Sequence, residues 1–543
     1  YAVFGAGKAL GYGIAPLPAA AMGVVTACMG GVIRDVVADA WTAVRAANHP
    51  PTLFARAGAL VRLLPTEHGP TIDPVDEAIA FGHLARVANW VRATDQGRFD
   101  TSPPKDAARD LLAFVDPEIP IMDSIVTAPL FDARGHLIAT PGYHPEARLF
   151  YHCPEGFEVP PVPERPSAAE MAAARSLLFD DLFVDFPFAT PSDRAHAFAA
   201  LLLPFVRRLV DAFAPIHLIE APTPGSGKGL LSDLIAIVAT GRPCEPTTVT
   251  RDEDENKKKL TALLLRAQPI ILLDNIRHQL DSSQLAAMIT ADPWSDRLLG
   301  QTKMLSLPNR ALWLATANNP KLSTEIARRC IRIRINPKED RPWERTRFKH
   351  PGIKRWARAH RAELVHAILV LVRGWLAAGR PEGNRTLGSF ESWAAVIGGI
   401  LGVVGVDGFL GNTQDLYADA DTEGEMWRAF VRAWFERFGS QSVAAGDLLR
   451  LCLEQSLLAE VLGDKSERSQ SIRLGKALTA MRERQFIGLR IEACAQVHNQ
   501  AHWRVVEARQ PASAPTSGYP GAGTAPASAV PDLALLDDSG SES

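Results

Sequence analysis

One stretch constrains the chain more than any other: Ile216 to Ile235, reading IHLIEAPTPGSGKGLLSDLI. A short apolar run containing Ile216, Leu218 and Ile219 leads into Pro222-Thr-Pro224-Gly225-Ser226-Gly227-Lys228-Gly229. A helical pattern follows, with Leu230, Leu231, Leu234 and Ile235 on one face. Strand, glycine-rich turn, lysine and helix in that order is the pattern of a phosphate-binding loop. Glycines let successive backbone N–H groups curl round an anion, the helix N-terminus adds its dipole, and the lysine reaches the outer phosphates. Two positions depart from the pattern. Pro222 stands where a first glycine is usual, and Gly229 where a Ser or Thr normally meets magnesium. The competing reading is an ordinary glycine-rich turn. His217 reads as a strand residue, since no partner at metal spacing accompanies it.

Two later runs place polar groups where such a loop needs them. Gln268-Pro-Ile-Ile-Leu-Leu-Asp274-Asn275 is an apolar run ending in an acid, the way a buried parallel strand delivers a carboxylate to the edge where magnesium sits. Asn275 occupies the position at which a hydrolytic ATPase carries a Glu to polarise water. Arg310-Ala-Leu-Trp-Leu-Ala-Thr-Ala-Asn318-Asn319 is a second such run, and the Asn318 amide suits orientation of water or γ-phosphate. Helical Leu322 to Ala327 then leads to Arg328-Arg329 and the strand-like Cys330 to Ile335. Both arginines are expected at the site-facing end of the sheet, one serving as a finger on a neighbouring subunit's phosphates. Taken singly, each feature has a plainer reading as a buried strand end or a surface arginine pair.

In this order the motifs carry a resemblance. APTPGSGKGLL, PIILLDN, LLGQTKMLSLPNRALWLATANN and EIARRCIRIRI are similar to the ATPase part of phage- and integrative-element-encoded primase–helicases, a group related to superfamily 3 helicases and the AAA+ class. RPWERTRFKHP, LVHAILVLVRGWLAAGRP and LGSFESWAAVIGGILGVVGVDGFLGN resemble the same group, so the similarity runs from about Pro50 to Glu507. The resemblance implies an α/β fold with an AAA+ type P-loop core on a parallel sheet over 166–345. A helical lid over 346–420 and a small α+β N-terminal module over 41–165 accompany it. It also implies ATP and Mg2+ as cofactors, with Pro224 to Gly229 cradling phosphate, Lys228 binding it and Asp274 serving the metal. Asn318 would be the sensor and Arg328 or Arg329 the finger. A primase domain often carried upstream in that group is not visible, so a separate primase is a possible partner.

The flanking regions differ from this core. Residues 1–40 are Gly/Ala-rich and nearly uncharged, with an apolar run from Ile14 to Ile33. AVFGAGKAL…GVVTACMGGVIRDV resembles the glycine-rich bacterial membrane family related to trimeric intracellular cation channels. A buried Ala/Gly helix is the alternative, and membrane association follows only if this fragment inserts. The chain opens on Tyr1, so a missing N-terminus is expected. Pro154 to Pro166 reads as a linker, and Thr250-Arg-Asp-Glu253 as a helix-capping box. Arg297 to Pro308 reads as a hairpin carrying Lys303 toward the DNA backbone. Residues 421–507 read as helices followed by a hairpin, a winged-helix-like domain. Its Arg473, Lys476, Arg482 and Arg484 could contact DNA phosphates, with solubility the competing explanation. The Pro/Ala/Gly/Ser-rich segment 508–543 is expected to be disordered.

A net charge of −3 gives no global field for nucleic acid, so any DNA surface must be local. Six scattered cysteines without C-x-x-C spacing exclude a zinc site or disulfide framework and point to the cytoplasm. The expectation is therefore an ATP-dependent helicase-like motor, a homo-oligomeric ring on DNA, single-stranded by preference. The alternatives are a slow nucleotide-dependent DNA-binding switch and, more remotely, a membrane transporter fragment in residues 1–40.

Overall fold

A computed structural model describes residues 40–507, apart from 68, 95–96, 212, 298–303, 465 and 496–500. The chain falls into two compact units, Tyr1–Asp421 and Thr422–Ser543. Residues 1–39, the segment 508–543 and Lys303 lie outside the described residues.

The first unit is built on a five-stranded parallel sheet of β1 (Ile216–Ala221), β2 (Pro246–Thr247), β3 (Ile270–Ile276), β4 (Leu312–Asn318) and β5 (Cys330–Arg334). The strand order is β2-β3-β4-β1-β5 and every neighbouring pair is parallel. The long apolar runs of β1, β3 and β4 follow from this, because such strands are covered on both faces. Around them pack α1 (Pro191–Val206), α2 (Lys228–Thr240) and α3 (Glu253–Leu265), whose buried residues join the same core. β1 lies between β4 and β5, so the chain leaves β1 toward one side of the sheet and returns for β5 on the other. In open α/β sheets ligands bind outside the carboxyl ends of the strands at such a reversal.

Several boundaries differ from the sequence-based expectation. The helices after 346, among them α6 (Arg361–Ala377), α7 (Glu391–Val404) and α8 (Thr413–Ala420), bury residues in the sheet's own core. The segment Pro154 to Pro166 is no free linker. Val159 and Val162 pack on that core, and the Pro161 carbonyl lies 3.2 Å from His366 Nε2. The cap of α3 is Asp252, which accepts from Glu255 N at 3.1 Å, while Thr250 is held by Asn256 instead. The largest displacement concerns the arginine pair. Cys330 stands opposite Ile216 and Arg334 opposite Glu220, and the Ile216 amide donates to the Arg329 carbonyl at 2.8 Å. Arg328 and Arg329 therefore sit at the amino edge of the sheet, about 17 Å of strand from the glycine-rich loop at 3.3 Å per residue. Helix α5 (Thr324–Ala327) is short and leads straight back into β5 from that edge.

Buried arginines tie the parts of this unit together. Arg361, 5 % exposed, donates to the carbonyls of Val238 (3.1 Å), Ala239 (3.1 Å) and Thr127 (3.0 Å) and lies 4.1 Å over the Phe157 ring. It closes the orphan carbonyls at the end of α2 and fixes the N-terminal module to it. Within that module, three antiparallel strands (Leu53–Arg56, Ala59–Leu64, Thr71–Pro74) carry Arg56 to the end of α3, where it donates to the carbonyls of Leu264 (2.7 Å) and Leu265 (3.2 Å).

The second unit orders as α9 (Thr422–Phe438), β6 (Val443–Ala444), α10 (Ala445–Glu454), α11 (Ala459–Leu462), α12 (Glu467–Ala480), β7 (Gln485–Phe486), β8 (Leu489–Ala493) and β9 (His502–Glu507). Its small sheet runs β6-β9-β8-β7, over a core that includes Trp427, Trp434, Leu474 and Val505.

Two predictions test this packing. Replacing Arg361 by Met strands three carbonyls, so Arg361→Met is expected to lower the stability of the first unit by roughly 2–4 kcal/mol in urea denaturation. The second concerns acid. His196 is fully buried, with Nδ1 2.7 Å from the Arg332 carbonyl while Nε2 accepts from Leu410 N at 2.9 Å. Those contacts suit the neutral ring, and burial pushes its pKa down to about 4; buried His217 is pushed down to about 3. An unfolded histidine titrates near 6.5. Below that pH the unfolded chain binds the extra protons, so this stability is whole above about 6.5 and lost as pH falls toward 4. The urea midpoint should fall across that window, and His196→Gln should flatten the fall.

Candidate functional site

The loop after β1 owes its shape to two glycines in the left-handed region, Gly225 (φ 74) and Gly227 (φ 95). A Cβ on Gly225 would stand 3.0 Å from the Trp343 ring. Ser226 Oγ donates to the Thr223 carbonyl at 2.6 Å and stiffens the turn. Gly227 caps α2 with no side-chain acceptor, and the first bond of the helix runs from Leu231 N to Gly227 O at 2.9 Å. The N–H groups of Lys228, Gly229 and Leu230 thus have no partner inside the helix, and a first-turn cradle of this kind suits an oxyanion. Gly229 is exposed and its Cβ position faces open space.

Side chains from the first turn of α2 and the ends of β3 and β4 converge here. Lys228 Nζ donates to Asn318 Oδ1 at 2.6 Å and to the Thr223 carbonyl at 3.4 Å. Burial pulls the lysine's pKa down while the Asp274 carboxylate opposes that shift. Asp274 Oδ1 accepts from Thr316 Oγ1 at 2.5 Å, and that hydroxyl in turn accepts from Asn275 N at 2.8 Å. The sheet thus brings together Lys228, Asp274, Asn275 and Asn318. Thr316, which orients the carboxylate, escaped notice because it lies inside an apolar strand; its polarity within such a run was the available signal.

Both strand-end asparagines carry conformational weight. Asn275 (φ 53) and Asn319 (φ 40) adopt the left-handed backbone that Asn tolerates better than most residues, and β3 shifts register between Leu273 and Ile276. Exchanging the oxygen and nitrogen of the Asn275 amide lets it accept from Arg277 at 3.1 and 3.2 Å. Beneath the loop, Glu220 is 1 % exposed and accepts from Arg334 NH1 at 2.5 Å, with Arg332 Nε at 3.2 Å. Arg334 also donates to Asn319 Oδ1 at 3.2 Å. A cleft of about 600 Å³ opens beside Gly225, Ser226 and Gly227, lined by Phe186, Trp343 and Phe348.

The remaining candidates separate. Arg329 is tied to the carbonyls of Ala286 (3.0 Å), on α4 (Ser283–Ile289), and Glu325 (2.9 Å), whereas Arg328 is exposed. The strands Trp294–Arg297 and Met304–Leu307 pair as an antiparallel hairpin. In the second unit Arg473 donates to the Leu462 carbonyl at 3.2 Å and Arg484 to Met481 Sδ at 3.0 Å, while Lys476 and Arg482 are exposed. Arg468, exposed two turns before Lys476 on α12, shares its face and was missed.

Among the described residues no group of three or more His, Cys, Asp or Glu could hold a metal ion by itself.

The architecture is mixed α/β, a parallel sheet covered by helices with a glycine-rich loop at its carboxyl edge. The family described as Glycine transporter matches residues 1–65. Its described part includes Phe54 and Val61, which are buried among strands, and no helix among the described residues is long and apolar enough to cross a membrane. No curated protein matches the chain. Among solved structures, the chain is similar to the apo C-terminal region of NrS-1, at 12% identity and TM-score 0.36 over 77% of this chain and 93% of that one. A second structure of that region gives 12% identity and TM-score 0.33 over 80% and 100%. JCV helicase with a bound small molecule gives 12% identity and TM-score 0.21 over 47% and 67%. Likeness at this level assigns neither activity nor partner.

Lys228→Ala should weaken binding of a fluorescent ATP analogue by about 10²-fold, since it removes one charged contact. Its melting temperature without nucleotide should match the parent's. Gly229→Thr places a hydroxyl in open space at a position free of strain. It should tighten Mn2+ binding to the nucleotide-loaded chain, read by electron paramagnetic resonance, by up to about tenfold.

Proposed function

We propose that the chain is a cytoplasmic, ATP-hydrolysing motor of the AAA+ type, helicase-like, that acts on DNA in the replication of a mobile element. The observation that carries this reading is the meeting of Lys228, the Thr316-held Asp274 and Asn318 at the mouth of a helix with open amides. Lys228 donates to Asn318; a bound phosphate would draw the lysine to itself and free the amide to orient water. Asp274 would hold magnesium, which neutralises charge on the phosphates when bound. The aromatic cleft beside the loop would take the base, with Trp343, 60 % exposed, as a stacking surface. Free cysteines at 153, 244, 330, 452 and 494 accord with a reducing compartment. The second unit would serve as a winged-helix DNA module, with Arg468, Lys476 and Arg482 on phosphates and Arg473 and Arg484 holding structure. A slow, nucleotide-dependent DNA-binding switch is the second reading, favoured by Asn275, whose amide cannot take a proton from water. ATP turnover stimulated several-fold by single-stranded DNA supports the motor. Tight nucleotide binding with negligible turnover in the presence of DNA would replace it with the switch.

The position of Arg328 extends the proposal to assembly. An exposed arginine at the edge of the sheet opposite its own loop can only reach the site of another copy. Such a finger is worth about 10³–10⁵ in rate where it operates. Arg328→Ala should therefore be inactive yet stable, whereas Arg329→Ala should destabilise the sheet edge. Mixing Lys228→Ala with Arg328→Ala chains should restore part of the activity. A mixture that stays inactive, with activity per chain independent of concentration, contradicts a ring with shared sites.

A further inference from the structure

At the amino edge of the sheet, away from the glycine-rich loop, lies a cavity of about 110 Å³. Arg56, Arg207, Arg208, Arg242 and Arg310 line it, with Asp123 as the one carboxylate. A water needs roughly 10–15 Å³ of such space, so the cavity has room for several waters or one tetrahedral oxyanion. Cations are at home near helix C-termini, and the ends of α2 and α3 point here, so each arginine must be weighed against that simpler role. Arg56 is fully used by the carbonyls at the end of α3. Arg207 donates to the carbonyls of Val210 (3.1 Å) and Asn309 (2.9 Å), and Arg310 pairs with Asp292 at 3.2 Å.

Arg208 is different. Its guanidinium donates to Ser124 Oγ at 3.1 Å, a neutral acceptor, and caps no helix. Burial and the neighbouring Arg310 and Arg148 push its pKa down, to about 10, against the pull of Asp123. It stays charged at neutral pH, as do Arg56 and Arg207. A cavity lined by five guanidinium groups and a single carboxylate is short of negative charge, and Arg208, half-buried at its wall, meets it with a neutral hydroxyl as its hydrogen-bond acceptor. Arg242, exposed at the mouth, adds a further cation where a ligand would enter.

We propose that this cavity is a second anion site, distinct from the glycine-rich loop, that takes a single phosphate group with Arg208 as its main ligand and Arg242 at its entrance. The phosphate is free, or is the terminal phosphomonoester of a larger molecule; the space excludes a nucleoside. Planar guanidinium donors match phosphate oxygens in pairs, which a lysine would not do.

The test uses the full chain carrying Lys228→Ala, which removes the loop's charged contact, titrated with inorganic phosphate at constant ionic strength. Calorimetry should give one saturable site, with a melting temperature that rises with occupancy. Adding Arg208→Met should weaken the affinity by at least about tenfold, and Arg242→Gln by a few-fold. Displacement by a 5′-phosphorylated oligonucleotide, but not by its unphosphorylated twin, supports a strand end as the source; displacement by neither supports free phosphate. Non-saturable behaviour of the Lys228→Ala chain overturns the proposal, as does unchanged affinity in Arg208→Met. Should Arg208→Met fail to fold, unchanged affinity in Arg242→Gln is equally decisive. Because the loop's charged contact is absent throughout, failure here leaves the ATPase reading untouched, and loss of ATPase leaves this one untouched.

Discussion

The placement of β1 between β4 and β5 is the constraint on which the candidate site rests. It sets the glycine-rich loop against the end of β4, where Asn318 waits, and within reach of Asp274 on β3. Lys228 opens α2 while Asp274 and Asn318 end β3 and β4, so none gains its position from sequence proximity. The backbone ladder supplies the alignment, and the side chains add short contacts on top of it. The buried Glu220, gripped by Arg332 and Arg334, locks the end of β1 to β5 just beneath the loop.

Some of this was legible in the residues and some was not. The apolar run leading into the glycine-rich loop and those ending in Asp274 and Asn318 could be read because strands buried on both faces carry few polar residues. Glycine before lysine could be read because few other residues tolerate the left-handed turn. What could not be read was direction. Arg328 and Arg329 follow a polar strand end and look adjacent to it, but the helix between reverses the chain and returns it to the opposite edge. The same limit hid the packing of 154–166, whose prolines resemble those of a linker until Val159 and Val162 find the core. Asn275 illustrates a further ambiguity. As chemistry it looks like a lost carboxylate; as conformation it is a residue suited to φ 53, and sequence alone cannot separate the two.

The second unit shows how weak a charge count is as a guide. Of the four cations named there, Arg473 and Arg484 donate within their own unit and exposed Arg482 pairs with Glu483 at 3.7 Å. Helix periodicity is the better instrument, since it joins Arg468 to Lys476 through positions four apart. Ile472, 54 % exposed, lies between them on the same stripe.

Arg361 and Arg56 carry a consequence for how this chain can drift over generations. Each meets carbonyls from separate segments with a rigid, forked head, and a lysine could satisfy one of them but not the set. Such positions will resist substitution as strictly as Lys228 although no reactant comes near them. A survey of invariance across descendants would rank mortar and machinery together. Exposure would tell them apart: the mortar is sealed from solvent, and the machinery opens onto it.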